Sequence, residues 1–103
     1  MIEQITLNNK TYKIEVVDQI PDENKDTLGR FDSETRTIYL RKHNEKEMVA
    51  TLLHEIYHGI LYNTGIHNLL DAEKEELFCD SFANGVSEIF NNKELVKLIK
   101  DKT

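Results

Sequence analysis

The first forty residues alternate between apolar and polar positions in the way that β-strands do. Residues 11–17 place tyrosine, isoleucine and valine on one side and charged side chains on the other, which is the two-residue period of a half-buried strand. Residues 2–7 alternate less regularly, and the pair Asn8-Asn9 between the two segments tolerates the positive φ angles of a tight turn. The pattern predicts a β-hairpin.

A second hairpin is predicted from residues 28–31 and 35–41, which flank the turn-forming run Asp32-Ser33-Glu34. Within it, residues 37–40 have strong β propensity because most of them are β-branched or aromatic. Residues 20–26 between the two hairpins are polar and contain the only proline, so we expect them to form a connection.

The apolar period changes from 2 to 3.6 after residue 43, which predicts helices. Asn44, followed three residues later by Glu47, is typical of a capped helix start, and Gly65 is typical of a helix end. The predicted apolar stripe of this first helix contains Val49, Leu52, Leu53, Ile56 and Ile60.

A second long helix is predicted to begin at Asp71 and to end at the pair Asn91-Asn92. Its predicted buried face contains Leu77, Phe78, Phe82, Val86, Ile89 and Phe90. A short third helix is predicted over residues 94–100, with Leu95, Leu98 and Ile99 as its apolar side. The predicted fold class is therefore α+β: a small twisted sheet of two hairpins, then two long antiparallel helices and a short one, in a single domain over residues 1–103.

The composition disfavours some classes of function but does not identify one. The 103 residues carry a formal net charge of −6, and an acidic surface repels phosphates, so no nucleic-acid partner is expected. No apolar run approaches the roughly 20 residues of a membrane span, and residues 1–5 lack the basic start of a secretory signal. Because Cys79 is the single cysteine, an intramolecular disulfide is excluded, and we expect the chain in the reducing cytoplasm.

His54 and His58 are four residues apart in the predicted first helix, so their side chains lie one above the other on the same face. Two imidazoles at this spacing can bind one Zn²⁺. Glu55 lies about 100° further around the helix, where it is a poor third ligand but can reach a metal-bound water and act as general base. The segment His-Glu-Ile-Tyr-His therefore predicts a catalytic zinc site.

A catalytic zinc also needs a third protein ligand. Glu76 and Asp80 are again four residues apart, on the polar side of the second helix. An antiparallel return of that helix would let Glu76 complete the metal site, while Asp80 accepts the free imidazole N–H of His54.

Other residues leave alternatives open. A neighbour could replace Glu76 as the third ligand: Glu73, Glu75 or His67. One of three tyrosines could stabilise the oxyanion of a tetrahedral intermediate: Tyr39, Tyr57 or Tyr62. Cys79 is expected to be a small buried hydrophobe rather than a ligand, because it points about 60° away from Glu76 around the helix.

The order of these residues resembles that of the gluzincin metallopeptidases, in which His-Glu-x-x-His is followed by Glu-x-x-x-Asp. The resemblance implies a zincin-like fold, zinc at His54, His58 and Glu76, Glu55 as general base, and Asp80 as the residue that supports a ligand. The short chain is similar to the minigluzincins. Residues 76–84 also look like a segment of the ImmA/IrrE-like metallopeptidases of phages and mobile elements, from which Cys79 and Asp80 depart.

The resemblance implies a zinc metallopeptidase, encoded by a phage or mobile element, that hydrolyses peptide bonds. It also implies that the last strand of the sheet lines the cleft, where a peptide substrate could pair with it as an added strand. Residues 37–41 are the expected edge, with Ile38, Tyr39 and Leu40 in contact with the substrate.

Two other functions remain open at this point. The zinc could be structural in a non-catalytic module that binds a partner. The chain could instead resemble the SprT-like nucleic-acid-associated proteases, which its negative charge disfavours. The expected partner is a peptide or protein substrate and not a membrane, with a homodimer left open. Residues 93–103 are the segment expected to close the cleft if the protein is made in a latent state.

Overall fold

The computed structural model describes residues 2–103, and Met1 lies outside them. The elements follow in this order: strands β1 (Gln4–Leu7), β2 (Lys10–Val17), β3 (Gly29–Asp32) and β4 (Thr37–Arg41), helix α1 (Glu45–Thr64), a 3₁₀ turn (Ile66–Leu69), and helices α2 (Ala72–Phe90) and α3 (Lys93–Lys102). The predicted α+β class, with the sheet before the helices, is confirmed. Within residues 2–103, no helix is both long and apolar enough to cross a membrane.

The four strands form one mixed sheet in the order β1-β2-β4-β3. Both predicted hairpins are present, since β1 pairs antiparallel with β2 and β3 pairs antiparallel with β4. In the first turn, Asn8 has a φ of 52° and Asn9 a φ of 66°, the left-handed pair typical of a two-residue hairpin turn. The hairpins join through a parallel pairing of β2 with β4.

Strand β4 lies inside the sheet and not at its edge. It is paired with β2 on one side and with β3 on the other, and Ile38 and Leu40 are fully buried. The prediction that residues 37–41 form the edge is therefore wrong, and the buried side chains of Ile38 and Leu40 are closed to a substrate. Substrate contact by Tyr39, which is not buried, stays a prediction. Branched apolar side chains stabilise a strand best where neighbours cover it, so the high β propensity of this segment indicated a central strand. The edge strand of this hairpin is β3.

Helix α1 packs its apolar side against one face of the sheet. The core at this contact consists of Ile14, Ile38 and Leu40 from the strands and Met48, Leu52 and Ile56 from the helix. Asn44 caps the helix by accepting the backbone N–H groups of residues 46 and 47, and Gly65 ends it with a φ of 79°. Both predicted boundaries are confirmed, whereas Val49 of the predicted stripe is exposed rather than buried.

Helix α2 returns antiparallel to α1, because His58 near the end of α1 meets Glu76 near the start of α2, whereas the earlier His54 meets the later Asp80. Its predicted start is confirmed, since Asp71 accepts the backbone N–H of Lys74.

The buried face of α2 is narrower than predicted. Its buried residues are Cys79 and Ala83, whereas four of the predicted ones are exposed: Leu77, Phe78, Ile89 and Phe90. Of the larger predicted side chains, Phe82 does pack against α1, where it stacks on Tyr57. The prediction for those four residues was wrong because a helical period identifies a stripe without showing what covers it.

Candidate metal centre and active site

The Nε2 atoms of the two histidines of α1 converge on a common point. The Nε2 atoms of His54 and His58 are 3.2 Å apart, and the ring centroids are 4.9 Å apart in an edge-to-face arrangement. One helical turn separates the two residues, so the backbone of α1 sets this spacing.

Glu76 reaches the same place from the neighbouring helix. Its Oε2 atom lies 2.9 Å from Nε2 of His54, and its Oε1 atom lies 2.8 Å from Nε2 of His58. The structure thus brings together the three residues that the sequence predicts as metal ligands.

The other ring nitrogen of each histidine also has a carboxylate partner. Nδ1 of His54 lies 2.8 Å from Oδ1 of Asp80, which is the predicted pairing, and Nδ1 of His58 lies 2.5 Å from Oε2 of Glu75. A neutral imidazole that donates through Nδ1 has an unprotonated Nε2. The two carboxylates therefore favour the tautomer in which both Nε2 atoms are acceptors.

This donor set fits a zinc ion. In the tautomer that Asp80 and Glu75 favour, both Nε2 atoms and the Glu76 carboxylate are acceptors, which repel one another unless a cation lies between them. Zinc at its usual ligand distances places neighbouring ligand atoms about 3.3 Å apart. The separations here are 2.8, 2.9 and 3.2 Å. Two histidines and one glutamate, with a fourth position left for water, are a known catalytic zinc set.

Glu55 is a carboxylate that the fold buries beside the histidines. Only 7% of it is exposed, and this burial raises the pKa of its carboxyl group, while His58 and His54 act to lower that pKa. A hydrogen bond from the backbone of Phe31 also acts to lower the pKa. A raised pKa is what a general base near neutral pH requires.

Glycine at position 29 makes room for Glu55. A Cβ atom on Gly29 would lie 2.6 Å from Cγ2 of Thr51 and 3.1 Å from Oε2 of Glu55. The edge strand β3 can therefore approach α1 this closely only because residue 29 has no side chain.

Cys79 is fully buried, as predicted, but it lies nearer the site than its helical angle indicates. Its Sγ and one ring nitrogen of each of His54 and His58 all lie within 4.8 Å of one another, so these three could also hold a metal ion. Burial, together with nearby carboxylates, raises the pKa of the thiol to about 12, and the thiolate is the form that binds metals. The oxygens of Glu76 lie closer, at 2.8 and 2.9 Å, so Glu76 is the better third ligand.

An open cavity of about 350 Å³ adjoins these residues. Its walls include Arg30, Phe31, His54, Glu55, His58, Tyr62, His67, Glu75 and Glu76.

The His67 ring lies beside Tyr62, with centroids 5.0 Å apart, so His67 lines the cavity but is not one of the residues that converge on the candidate metal site. Tyr57 stacks on Phe82 instead. Of the three tyrosines considered for oxyanion binding, only Tyr62 lines this cavity.

Residues 93–103 line neither this cavity nor the adjoining one beside Asp80. Helix α3 packs on α2 instead. In this conformation the segment suspected of closing the cleft leaves it open.

Two residues have roles at the site that the sequence did not predict. For Glu75 a signal was present, because the antiparallel register that pairs His54 with Asp80 also brings residues 75 and 76 opposite His58. For Gly29 no local signal exists, because the crowding arises only when β3 packs beside α1.

Comparisons with known proteins do not assign a family. No protein-family model matches the chain, and no curated protein matches it. The resemblance to the gluzincins rests on the spacing of the residues described above and stays a prediction.

Proposed function

We propose that the protein is a zinc-dependent peptidase whose Zn²⁺ is held by His54, His58 and Glu76. One observation carries the proposal: three acceptor groups converge within 3.2 Å of one another beside the buried carboxylate of Glu55 and an open cavity. Each histidine is also oriented by a carboxylate on its far nitrogen, which is typical of metal-binding imidazoles.

Each residue of the site has a separate role in the proposed hydrolysis. Bound zinc would supply a Lewis acid that polarises the scissile carbonyl and lowers the pKa of a water molecule. Glu55 acts as general base: its carboxylate takes a proton from the attacking water and then gives it to the leaving amine nitrogen. Asp80 and Glu75 hold the imidazoles in the correct tautomer and orientation.

The edge strand β3 is the part of the sheet best suited to bind a peptide backbone. It is an outermost strand of the sheet, so one side of its main chain is unpaired among the described strands. Residues 29–31 line the cavity beside Glu55. A substrate that pairs with β3 as an added strand would pass next to the general base. In the proposal, β3 replaces residues 37–41 as the substrate-binding strand.

The proposal is tested by two measurements on protein purified without added metal: zinc content by elemental analysis, and cleavage of a peptide library followed by mass spectrometry. Wild type and Glu55→Gln should each hold about one zinc per chain. Cleavage by Glu55→Gln should be slower by about 10²–10⁴ because the proton acceptor is lost. Glu73→Gln, which changes an exposed acid in the first turn of α2, is the matched control and should keep both properties.

Each result that contradicts the proposal leads to a different conclusion. A wild type that holds zinc but cleaves no peptide would favour the non-catalytic zinc module. Equal cleavage by wild type and Glu55→Gln would assign the hydrolysis to something other than this site. A wild type that binds no zinc, even after reconstitution, would overturn the proposal altogether.

A further inference from the structure

The cavity beside the candidate metal site has one acidic wall residue that the site itself does not use. Four glutamates line this cavity. Three of them belong to the site, because Glu55 is the buried carboxylate and Glu75 and Glu76 contact the histidines. The fourth is Glu23, whose carboxylate forms no ion pair within residues 2–103. Its negative charge is therefore free to meet a ligand.

The arginine beside this cavity does not neutralise Glu23, because its own charge is already compensated. One guanidinium nitrogen of Arg30 lies 3.3 Å from Oδ2 of Asp32, and the other donates to the backbone carbonyl of Pro21 at 2.9 Å. The chain as a whole carries a net charge of −6, which attracts cationic ligands from solution. The cavity thus presents an uncompensated negative charge within an acidic molecule.

A turn that is anchored to the sheet holds the backbone of Glu23 beside the cavity. The turn begins at Ile20, which is 1% exposed and whose carbonyl accepts the backbone N–H of Glu23 at 3.3 Å. Pro21 and Asp22 are its central residues, and Asp22 has a φ of 61°, as expected for the second central residue of a type II turn. Arg30 of β3 binds this turn through the Pro21 carbonyl. The position of Glu23 is therefore fixed relative to the edge strand.

Three aromatic rings form another part of the cavity wall. Phe31, Tyr62 and His67 all line it, and the ring centroid of Tyr62 lies 5.9 Å from that of Phe31 and 5.0 Å from that of His67. Such a row of rings offers an apolar surface to the aliphatic stem of a long side chain, and the faces of the rings attract a cation at its end. The volume of about 350 Å³ lies at the lower end of the range for ligand sites. Aromatic walls and a free carboxylate together suit a long cationic side chain.

The cleft continues on the other side of Glu55, where its walls are different. A second cavity of about 550 Å³ shares Gly29, His54 and Glu55 with the first. Its remaining walls are Leu28, Ala50, Thr51, Asp80, Ala83 and Asn84. Asp80 is the only charged residue among these, and it is paired with His54, so this side offers no free charge to the terminus of a peptide. A peptide paired with β3 can therefore extend on both sides of Glu55.

We propose that the cavity lined by Glu23 binds a lysine or arginine side chain next to the scissile bond of an extended peptide, and that Glu23 selects its charge. This inference rests on the proposed peptidase function and specifies its substrate class: internal peptide bonds beside a basic residue. The stem of the basic side chain packs along Phe31 and Tyr62, and its cation meets the carboxylate of Glu23. The terminal ammonium of a peptide carries the same charge but has no stem to pack against the rings.

The test uses the full chain with zinc added and peptides that are acetylated at one end and amidated at the other. A single lysine is moved stepwise along an otherwise uncharged peptide, and mass spectrometry identifies the bond that is cut. The cut made by wild type should follow the lysine at a fixed distance. Replacing the lysine by norleucine, which keeps the stem and removes the charge, should lower kcat/KM by about tenfold. Glu23→Gln should cleave both peptides equally well, and Glu23→Lys should prefer a glutamate at the same position.

Glu34→Gln is the matched control. It removes the charge of an exposed acid that lines neither cavity, so it should keep the preference for lysine. Cuts that do not follow the lysine overturn the proposal, as does a preference for lysine that survives in Glu23→Gln. Cleavage only of peptides with a free amino end, at a fixed distance from that end, also overturns it and assigns the cavity to a terminal ammonium.

A binding measurement separates this proposal from the proposed peptidase function. Fluorescence anisotropy of labelled, blocked peptides should show that Glu55→Gln binds the lysine peptide about tenfold more tightly than the norleucine peptide. Adding Glu23→Gln to that variant should abolish the difference. A wild type that cleaves no peptide, while Glu55→Gln keeps the preference in binding, contradicts the peptidase function alone. Cleavage by wild type without any preference for lysine contradicts the cation-binding cavity alone.

Discussion

Helices α1 and α2 each bring three residues to the candidate site, but the two helices hold them differently. His54, Glu55 and His58 lie on a helix that packs against the sheet on one side and against α2 on another, and Glu55 is 7% exposed. Of the three acids on α2, the side chains of Glu76 and Asp80 are 57% and 64% exposed, whereas that of Glu75 is 20% exposed. The buried contact of α2 consists of Cys79 and Ala83.

The difference indicates which half of the site is preorganised. Packing against the sheet orders the α1 residues whether or not a metal is present. Glu76 and Asp80 of α2 have exposed side chains, so a metal that joins the helices would contribute a large share of their order. The predictions below test this contrast.

The largest effect is expected for Glu76→Ala, which removes the ligand contributed by α2. Zinc content should fall from about one per chain to near zero, because two histidines alone leave the ion without its third protein ligand. The melting temperature should fall to that of chelator-treated wild type, because the metal no longer joins the helices. Elemental analysis and thermal melts measure both effects.

Cys79→Ala is the control for the competing donor set. It should keep its zinc if Glu76 is the third ligand. Zinc lost from Cys79→Ala and kept in Glu76→Ala would instead assign the site to His54, His58 and Cys79.

A smaller effect is expected when the carboxylates behind the histidines are changed. Asp80→Asn and Glu75→Gln should each weaken zinc binding by about 10–100-fold, because the imidazoles lose the acceptors that orient them. Glu75→Gln should have the larger effect of the two, since Glu75 is the more buried and lies only 2.5 Å from its histidine. Competition with a chromogenic chelator measures both affinities. Unchanged affinity in both variants would show that packing alone orients the rings.

The smallest effect is expected for Glu55→Gln in metal-free protein. Because burial raises the pKa of Glu55, the folded chain holds the proton more tightly than the unfolded chain does, so the ionised carboxylate lowers the free energy of unfolding at neutral pH. Glutamine removes that cost, so Glu55→Gln should raise the melting temperature of the metal-free protein. Thermal melts in a chelator measure this. Glu88→Gln, at an exposed position, should change nothing, and a lower melting temperature for Glu55→Gln would contradict the prediction.

The site was easier to predict from the sequence where one helix contains it. The spacing of His54, Glu55 and His58 follows from the helical turn, so recognising the helix was sufficient to place them. Glu76 and Asp80 needed the further assumption of an antiparallel return, which the capping residues Asp71 and Gly65 made reasonable. Glu75 was considered only as a ligand because the exact register of the two helices was unknown.

Two features could not be predicted from the apolar pattern: the position of a strand within the sheet and the burial of side chains on α2. Residues 37–41 were identified as a strand, but whether a strand is central or at an edge depends on partners distant in the sequence. The apolar positions of α2 were likewise identified, but which of them face α1 depends on how closely the two helices approach. Cys79 and Ala83 are buried there and Phe82 stacks on Tyr57 of α1, whereas Phe78 and Phe90 are exposed.

The sequence by itself determined the elements, their caps and the three-residue unit on α1, because turn chemistry, helical period and i, i+4 spacing act between near neighbours. Only the tertiary structure decided that β3 is the edge strand, that Gly29 makes room for Glu55, that Glu75 supports His58, and that α2 leaves an apolar stripe uncovered. Each of these depends on the distance between elements far apart in the chain, and packing of the whole molecule sets that distance.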